Sequence, residues 1–294
     1  MELRLLATFE KVADVLSFTR AATELGYAQS SVTAQIRSLE SSLGVDLFER
    51  LGSRIRLTEA GERLLPYAHR MTDLAEEART AVAATAEPSG PIAVGTMESL
   101  TSYRLPPLLE YFHHRYPKVR LTLRPTLGDE TRKALRQGTY DVGFLMEPET
   151  EHEGLETEVL APEPLSLVAT PDHPLVGRTD LTTADLAAAQ LLGTEPGCSY
   201  RDLFEAELRE WEPPFMEFGT IEATKRGVAA GLGVALLPRV TVAEELAAGA
   251  LVELPWEAPF TLFTQLAWRR GKRLPAHVRL FVEQARRLVS EQRG

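Results

Sequence analysis

Cysteine is almost absent from this chain of 294 residues; Cys198 stands alone. A single thiol excludes an intrachain disulfide and any cysteine-rich zinc site. Long hydrophobic runs are missing too, none approaching the ~20 apolar residues that span a bilayer. The start, Met1-Glu2-Leu3-Arg4, lacks the basic and then apolar stretches of a secretory signal, so cytoplasmic residence and no membrane partner are expected. Catalytic signatures are also missing: there is no G-x-S-x-G elbow, phosphate loop or H-E-x-x-H helix. The neighbouring His113 and His114 face different directions on a helix and make no metal pair. No enzyme activity, cofactor or metal is expected.

An excess of positive charge is lacking as well. The net charge of −10 argues against a nucleic-acid partner until it is divided along the chain. Residues 1–58 hold seven Lys/Arg and seven Asp/Glu, leaving 25 basic and 35 acidic residues to the remainder. An acidic bulk repels DNA, so DNA binding would rest on a few placed side chains and on dimerisation.

What is present is concentrated between Ser17 and Gly61. Phe18, Ala21, Ala22 and Leu25 recur at i, i+3, i+4 and i+7, the stripe of a helix burying one face. Gly26-Tyr27 breaks it. Val32, Ile36, Leu39 and Leu43 give a second stripe, ended by Gly44. Two helices on so short a turn cross steeply, the layout of a helix-turn-helix at about 18–37. Leu5, Phe9, Val12 and Leu16 supply a preceding helix. Opposite the second stripe lie Gln29, Ser30, Thr33 and Arg37, groups suited to base edges and phosphates. A hairpin then carries Arg50, Arg54 and Arg56 around its tip, a basic wing able to hold phosphates.

These residues resemble the LysR-type transcriptional regulators. The match runs through Phe9, Ser17-Phe18, Ala21-Ala22, Leu25, Gln29-Ser30, Val32-Thr33, Ile36, Leu39-Glu40, Leu43-Gly44, Leu47-Phe48-Glu49-Arg50 and Leu57-Thr58-Glu59-Ala60-Gly61. Two departures matter. Ala28 stands where a capping hydroxyl is usual, which costs ~1 kcal/mol unless Ser30 or Ser31 takes over. Ala34 stands where relatives often carry a long polar side chain, leaving Thr33, Gln35 or Arg37 to compensate.

From Glu59 to about Glu87 there is no glycine after Gly61 and one proline, Pro66. Leu64, Met71 and Ala78 recur every seven residues, and so do Tyr67, Leu74 and Ala81, an a/d seam for a two-stranded coiled coil. A helix packed on its own domain is the alternative. The resemblance makes residues 59–88 the linker helix that pairs subunits. It implies a homodimer or homotetramer.

Beyond Glu87-Pro88-Ser89-Gly90-Pro91 strands and helices alternate, which predicts an α/β fold with parallel sheet character. The expected architecture is an α/β effector domain over 91–294, two-lobed and like the type 2 periplasmic binding proteins. Lobe I is read over about 91–161 and 267–294, lobe II over about 162–266. An all-α winged helix-turn-helix domain (1–58) and the linker helix precede it. Tyr116-Pro117, Asp141-Val142-Gly143, His173-Pro174, Gly197-Cys198-Ser199-Tyr200-Arg201, Val228-Ala229-Ala230-Gly231-Leu232-Gly233 and Leu237-Pro238 extend the resemblance over the whole chain.

In open α/β sheets ligands sit beyond the carboxyl ends of strands, beside helix amino termini. The resemblance places effector contacts in three such regions, giving Ser99, Thr101, Cys198, Ser199, Arg201 and Thr220 as candidates. Ser99, Ser199 and Thr220 serve equally as helix caps, and Arg201 as an internal ion pair. Glu98 and Glu222 oppose a highly charged anion, so the effector is expected to be a modest carboxylate or an uncharged metabolite. Peroxide-sensing relatives use paired thiols. With one cysteine that switch is closed here, and Cys198 reads as a structural or ligand-facing thiol. The resulting expectation is a regulator that binds double-stranded promoter DNA and a small molecule. A transport-type solute-binding protein would explain only the second two-thirds.

Overall fold

A computed structural model describes residues 2–51, 54–82 and 87–291. The chain divides into two compact units: Met1–Glu87 with the short segments Arg136–Thr139 and Arg273–Ala276, and the rest from Pro88 onward.

The first unit begins with α1 (Leu3–Val15), α2 (Phe18–Leu25) and α3 (Gln29–Leu43). Ser17 caps α2 by accepting the Arg20 N–H, and Gly26 ends it in the left-handed region at φ 69°. Leu6, Phe9, Val12, Ala21, Ala22, Val32, Ile36 and Leu39 form its core. The two stripe ends differ from the sequence reading. Leu16 and Leu43 are exposed, because each lies at the terminus of its helix, past the last turn that faces the core. No side chain caps α3 at Ala28, so neither Ser30 nor Ser31 takes over.

The wing strands β1 (Phe48–Leu51) and β2 (Arg54–Leu57) pair antiparallel, with Phe48 opposite Leu57. Glu40 Oε1 accepts the Leu47 and Phe48 N–H groups at 2.8 and 3.3 Å and fixes the wing to α3. Thr58 caps α4 (Glu59–Val82) by accepting the Gly61 N–H at 3.1 Å. A Cβ on Gly61 would lie 2.3 Å from the Leu47 carbonyl oxygen, so only glycine lets helix and wing approach this closely. α4 continues through Pro66.

The second unit opens with β3 (Gly90–Thr96), a π-helical segment Leu100–Arg104, α5 (Pro106–Arg115), β4 (Val119–Pro125), α6 (Gly128–Gln137), β5 (Val142–Glu147) and β6 (Leu155–Glu163). There follow β7 (Leu165–Ala169), α7 (Thr183–Ala187), β8 (Leu191–Gly193), α8 (Ser199–Glu207), β9 (Phe215–Glu217) and α9 (Ile221–Ala229). β10 (Val234–Pro238), α10 (Arg239–Ala247), β11 (Val252–Glu253), β12 (Leu262–Arg269) and α11 (Ala276–Glu291) complete the chain.

Two five-stranded sheets result, in the orders β4-β3-β5-β12-β6 and β11-β7-β10-β8-β9. Each is the floor of one lobe. β3 runs parallel to β4 and β5, but β12 is antiparallel to both β5 and β6, and β10 to β7. The parallel character expected is present in β3–β4, β3–β5, β10–β8 and β8–β9, within sheets that are mixed. The chain leaves lobe I on β6 and returns on β12 beside it in the opposite sense. Lobe I accordingly extends to Glu163 and resumes at Leu262, a few residues outside the range read from sequence. Arg104 grips Glu163 bidentately, both bonds at 2.8 Å, and Thr264 donates to the same carboxylate at 2.9 Å. Both members of the pair are buried.

Candidate DNA-reading face and effector cavity

α3 places Gln29, Ser30 and Arg37 on its exposed side, with Thr33 half-buried between them. At 100° per residue these four occupy one sector of about 100° that begins beside Ile36 and runs away from Val32 and Leu39. Gln29 Nε2 donates to Thr33 Oγ1 at 3.1 Å, and Thr33 returns to the Gln29 carbonyl at 3.0 Å, so the first two polar groups are mutually oriented. Gln35 behaves differently: it lies beside the buried stripe, and its Oε1 accepts from Thr8 on α1 at 2.6 Å. Its amide is thereby tied into the domain. On the wing, Arg56 pairs with Glu49 across the strands, which offsets its charge. The side chains of Arg50 and Arg54 lie outside the described residues, as do Gly52 and Ser53.

Along α4, Tyr67, Met71, Leu74 and Ala78 are exposed at spacings of 4, 3 and 4; Leu74 is 63% accessible. Leu64, the first residue of the expected seam, packs instead against the core of its own unit, because α4 begins against α1 and the wing. The side chain of Ala81 lies outside the described residues.

In the second unit a cavity of about 460 Å³ lies between the lobes. Lobe I contributes Met97, Glu98 and Ser99 beyond β3, and Thr126, Leu127 and Glu130 beyond β4. Lobe II contributes Thr194, Glu195, Cys198 and Tyr200 beyond β8, and Thr220 and Ile221 at the start of α9. All follow the carboxyl ends of strands, where an open α/β sheet leaves helix amino termini free. Glu98 Oε2 accepts the Ile221 N–H across the gap at 3.1 Å. Behind it Lys225 reaches Tyr103 at 3.4 Å. Burial alone would lower the Lys225 ammonium, but its bonds to Glu245 and Tyr103 outweigh that and raise it.

Three of the six effector candidates, Ser99, Cys198 and Thr220, line this cavity. Thr220 also caps α9, accepting the Ala223 N–H at 3.1 Å. The other three do not line it. Thr101 donates back to the Met97 carbonyl at 3.0 Å. Ser199 is half-buried to one side. Arg201 is buried inside lobe II, bonded to Glu205 at 2.9 Å and to the Thr194 carbonyl, with its guanidinium over the Phe215 ring. A guanidinium so enclosed serves the packing of α8 on β8 and β9. Glu222 is likewise directed away, paired with Arg226 at 3.0 Å.

Burial pushes the Cys198 thiol up, overcoming smaller opposing bonds from Thr194 and Tyr200 and the Arg201 N–H. It is a neutral, poorly nucleophilic group at neutral pH. Thr126, Thr194, Glu130 and Glu195 were not singled out in the sequence. Thr194 and Glu195 follow β8, a three-residue strand too short to show a pattern.

Comparison with known proteins agrees with this geometry. Residues 3–62 match the model of the bacterial regulatory helix-turn-helix proteins of the lysR family, and residues 85–290 that of the LysR substrate binding domain. The uncharacterized HTH-type transcriptional regulator YwqM of Bacillus subtilis is 42% identical over 98% of this chain and 99% of its own. Among solved structures, a full-length cysteine-to-aspartate variant of OxyR from Pseudomonas aeruginosa superposes with a TM-score of 0.81 at 27% identity, covering 98% of this chain and 94% of that one. Full-length CbnR complexed with its target DNA gives 0.61, also at 27% identity, over 98% and 99%. No described helix is long and apolar enough to cross a membrane. A helix-turn-helix module and a two-lobed substrate-binding domain, each matched by its family model, make this chain a member of the LysR family of transcriptional regulators.

Proposed function

We propose that Gln29, Ser30, Thr33 and Arg37 read promoter DNA in the cytoplasm, that the cavity between the lobes takes the effector, and that the α4 stripe pairs subunits. The observation that carries the DNA assignment is the sector of hydrogen-bonding groups on α3, with Gln29, Ser30 and Arg37 exposed and Gln29 and Thr33 oriented by their mutual bonds. Two such helices on a symmetric dimer meet successive major grooves. Further association through the effector domains gives a tetramer. The wing arginines Arg50 and Arg54 add phosphate contacts. Ser99, Cys198 and Thr220 face the effector, which shifts the molecule only through its difference in affinity between two conformations. Occupancy of the cavity thereby alters subunit geometry and transcription from a nearby promoter.

The test is titration of the full chain onto labelled DNA from upstream of its own gene, with random DNA as competitor, at several salt concentrations. Specific binding that Thr33→Ala weakens at least about tenfold, the loss of one good base contact, is the expected result. Unchanged discrimination between operator and random DNA in that variant would remove α3 as the reading element.

A further inference from the structure

Three charged side chains line the cavity, and all are glutamates: Glu98, Glu130 and Glu195. Among the described residues no lysine, arginine or histidine lines it. Among the described residues no cation pairs with any of the three. Glu98 and Glu195 are half-buried, so a ligand that displaces their water must answer their charge or leave it stranded.

The usual attraction for an anion, an open helix amino terminus, is already satisfied from within. Glu98 takes the Ile221 N–H of α9. Asp202 accepts the Gly197 N–H ahead of α8 at 2.9 Å. Asp129 and Glu130 stand in the first turn of α6. One polar group does wait for a partner. Ser99 is 2% exposed and lines the cavity, and among the described residues its hydroxyl has no hydrogen-bond partner. Met97, Leu127 and Ile221 supply apolar wall.

We infer that the effector is a small organic cation, whose ammonium or guanidinium group faces Glu98, Glu130 and Glu195 while the Ser99 hydroxyl accepts one of its N–H bonds. This deepens the effector-site reading above and rests on it. A carboxylate, one of the two classes left open by the sequence, would meet three like charges. A metal ion is the wrong cation, since among the described residues no three His, Cys, Asp or Glu are grouped to hold one.

The lone thiol lets the charge of the cavity be read before the ligand is known. Cys198 of the full chain is modified with a cationic (trimethylammonium) and an anionic (sulfonate) ethyl methanethiosulfonate. Each rate is divided by that for N-acetylcysteine. Preference for the cationic reagent by about tenfold or more is expected, as for a cleft lined by one sign of charge. The preference should collapse in the Glu98→Gln, Glu195→Gln protein. The single Glu195→Gln variant retains the Glu98 bond to α9 and should lose part of it.

Putrescine, L-arginine and glutarate are then titrated by calorimetry, with protection of Cys198 as the locator. A cation that binds and protects, with glutarate inert, completes the case. Preference for the anionic reagent, or glutarate that binds and protects Cys198, overturns the cationic class and leaves the cavity standing as the effector site. A Cys198 that reacts with both reagents at rates in the ratio seen for N-acetylcysteine overturns the charge inference, and probes that bind by calorimetry without protecting it overturn the cavity reading.

Discussion

Arg104 and Glu163 show how a single pair can hold a lobe. The guanidinium and carboxylate are buried, bonded twice to each other, and backed by the Thr264 hydroxyl. Removing one partner strands the other charge away from water. Glu163→Ala should therefore cost about 3–5 kcal/mol, read as a lowered urea midpoint. A midpoint within error of the parent protein would contradict the pairing. A milder residue-scale effect belongs to Asp185, held at about 2 against its ordinary 3.8. The Thr182 hydroxyl contributes most, followed by the Thr182 N–H and Arg178. Because the folded value is depressed, the stabilisation is fully present above 3.8 and lost as pH falls through about 2. NMR titration of the carboxyl should find that midpoint, and Thr182→Ala should move it upward. An unmoved midpoint would assign the depression elsewhere.

At the scale of elements, α3 starts uncapped. Ala28→Ser should stabilise the first unit by ~1 kcal/mol, seen as a higher melting temperature; no gain would mean that water or a neighbouring chain already serves those N–H groups. α4 presents an apolar stripe with nothing of its own unit to cover it beyond Leu64. Leu74→Glu should shift the protein toward monomer in sedimentation while its helical circular dichroism persists. An unchanged association state would place the dimer interface elsewhere. These helices were legible in the sequence because amphipathic periodicity is a local property: Val32, Ile36 and Leu39 are buried as their spacing indicated. The ends were not, since whether Leu16 or Leu43 is covered depends on distant chain. The same division holds in the cavity. Ser99, Cys198 and Thr220 lie at helix starts that the sequence announces, whereas Arg201 looked like a ligand group because, beyond its i+4 neighbour Glu205, its partners Glu217 and the Thr194 carbonyl reach it only through the fold. Strands of two or three residues such as β8, β9 and β11 carry too few positions for alternation to register.

For the whole molecule the decisive quantity is the separation of charge. The 1–58 segment is balanced and all ten excess negative charges fall on the remainder, so DNA is approached against a repulsive bulk. Affinity should depend on a handful of cations. Arg54→Ala is expected to weaken binding on every sequence alike and to flatten the salt slope by about one; an unaltered slope would take the wing off the phosphates.

Among the described residues the chain passes between the lobes at the ends of β6 and β12, which lie side by side, with Glu163 directly opposite Leu262 where both leave the first sheet. Two strands hydrogen-bonded along their length share one line about which they can bend. The second lobe is therefore tethered by two adjacent chain segments that leave the first sheet at one point of its edge. Any effector that draws the lobes together has to bend both crossings at once, because they lie side by side.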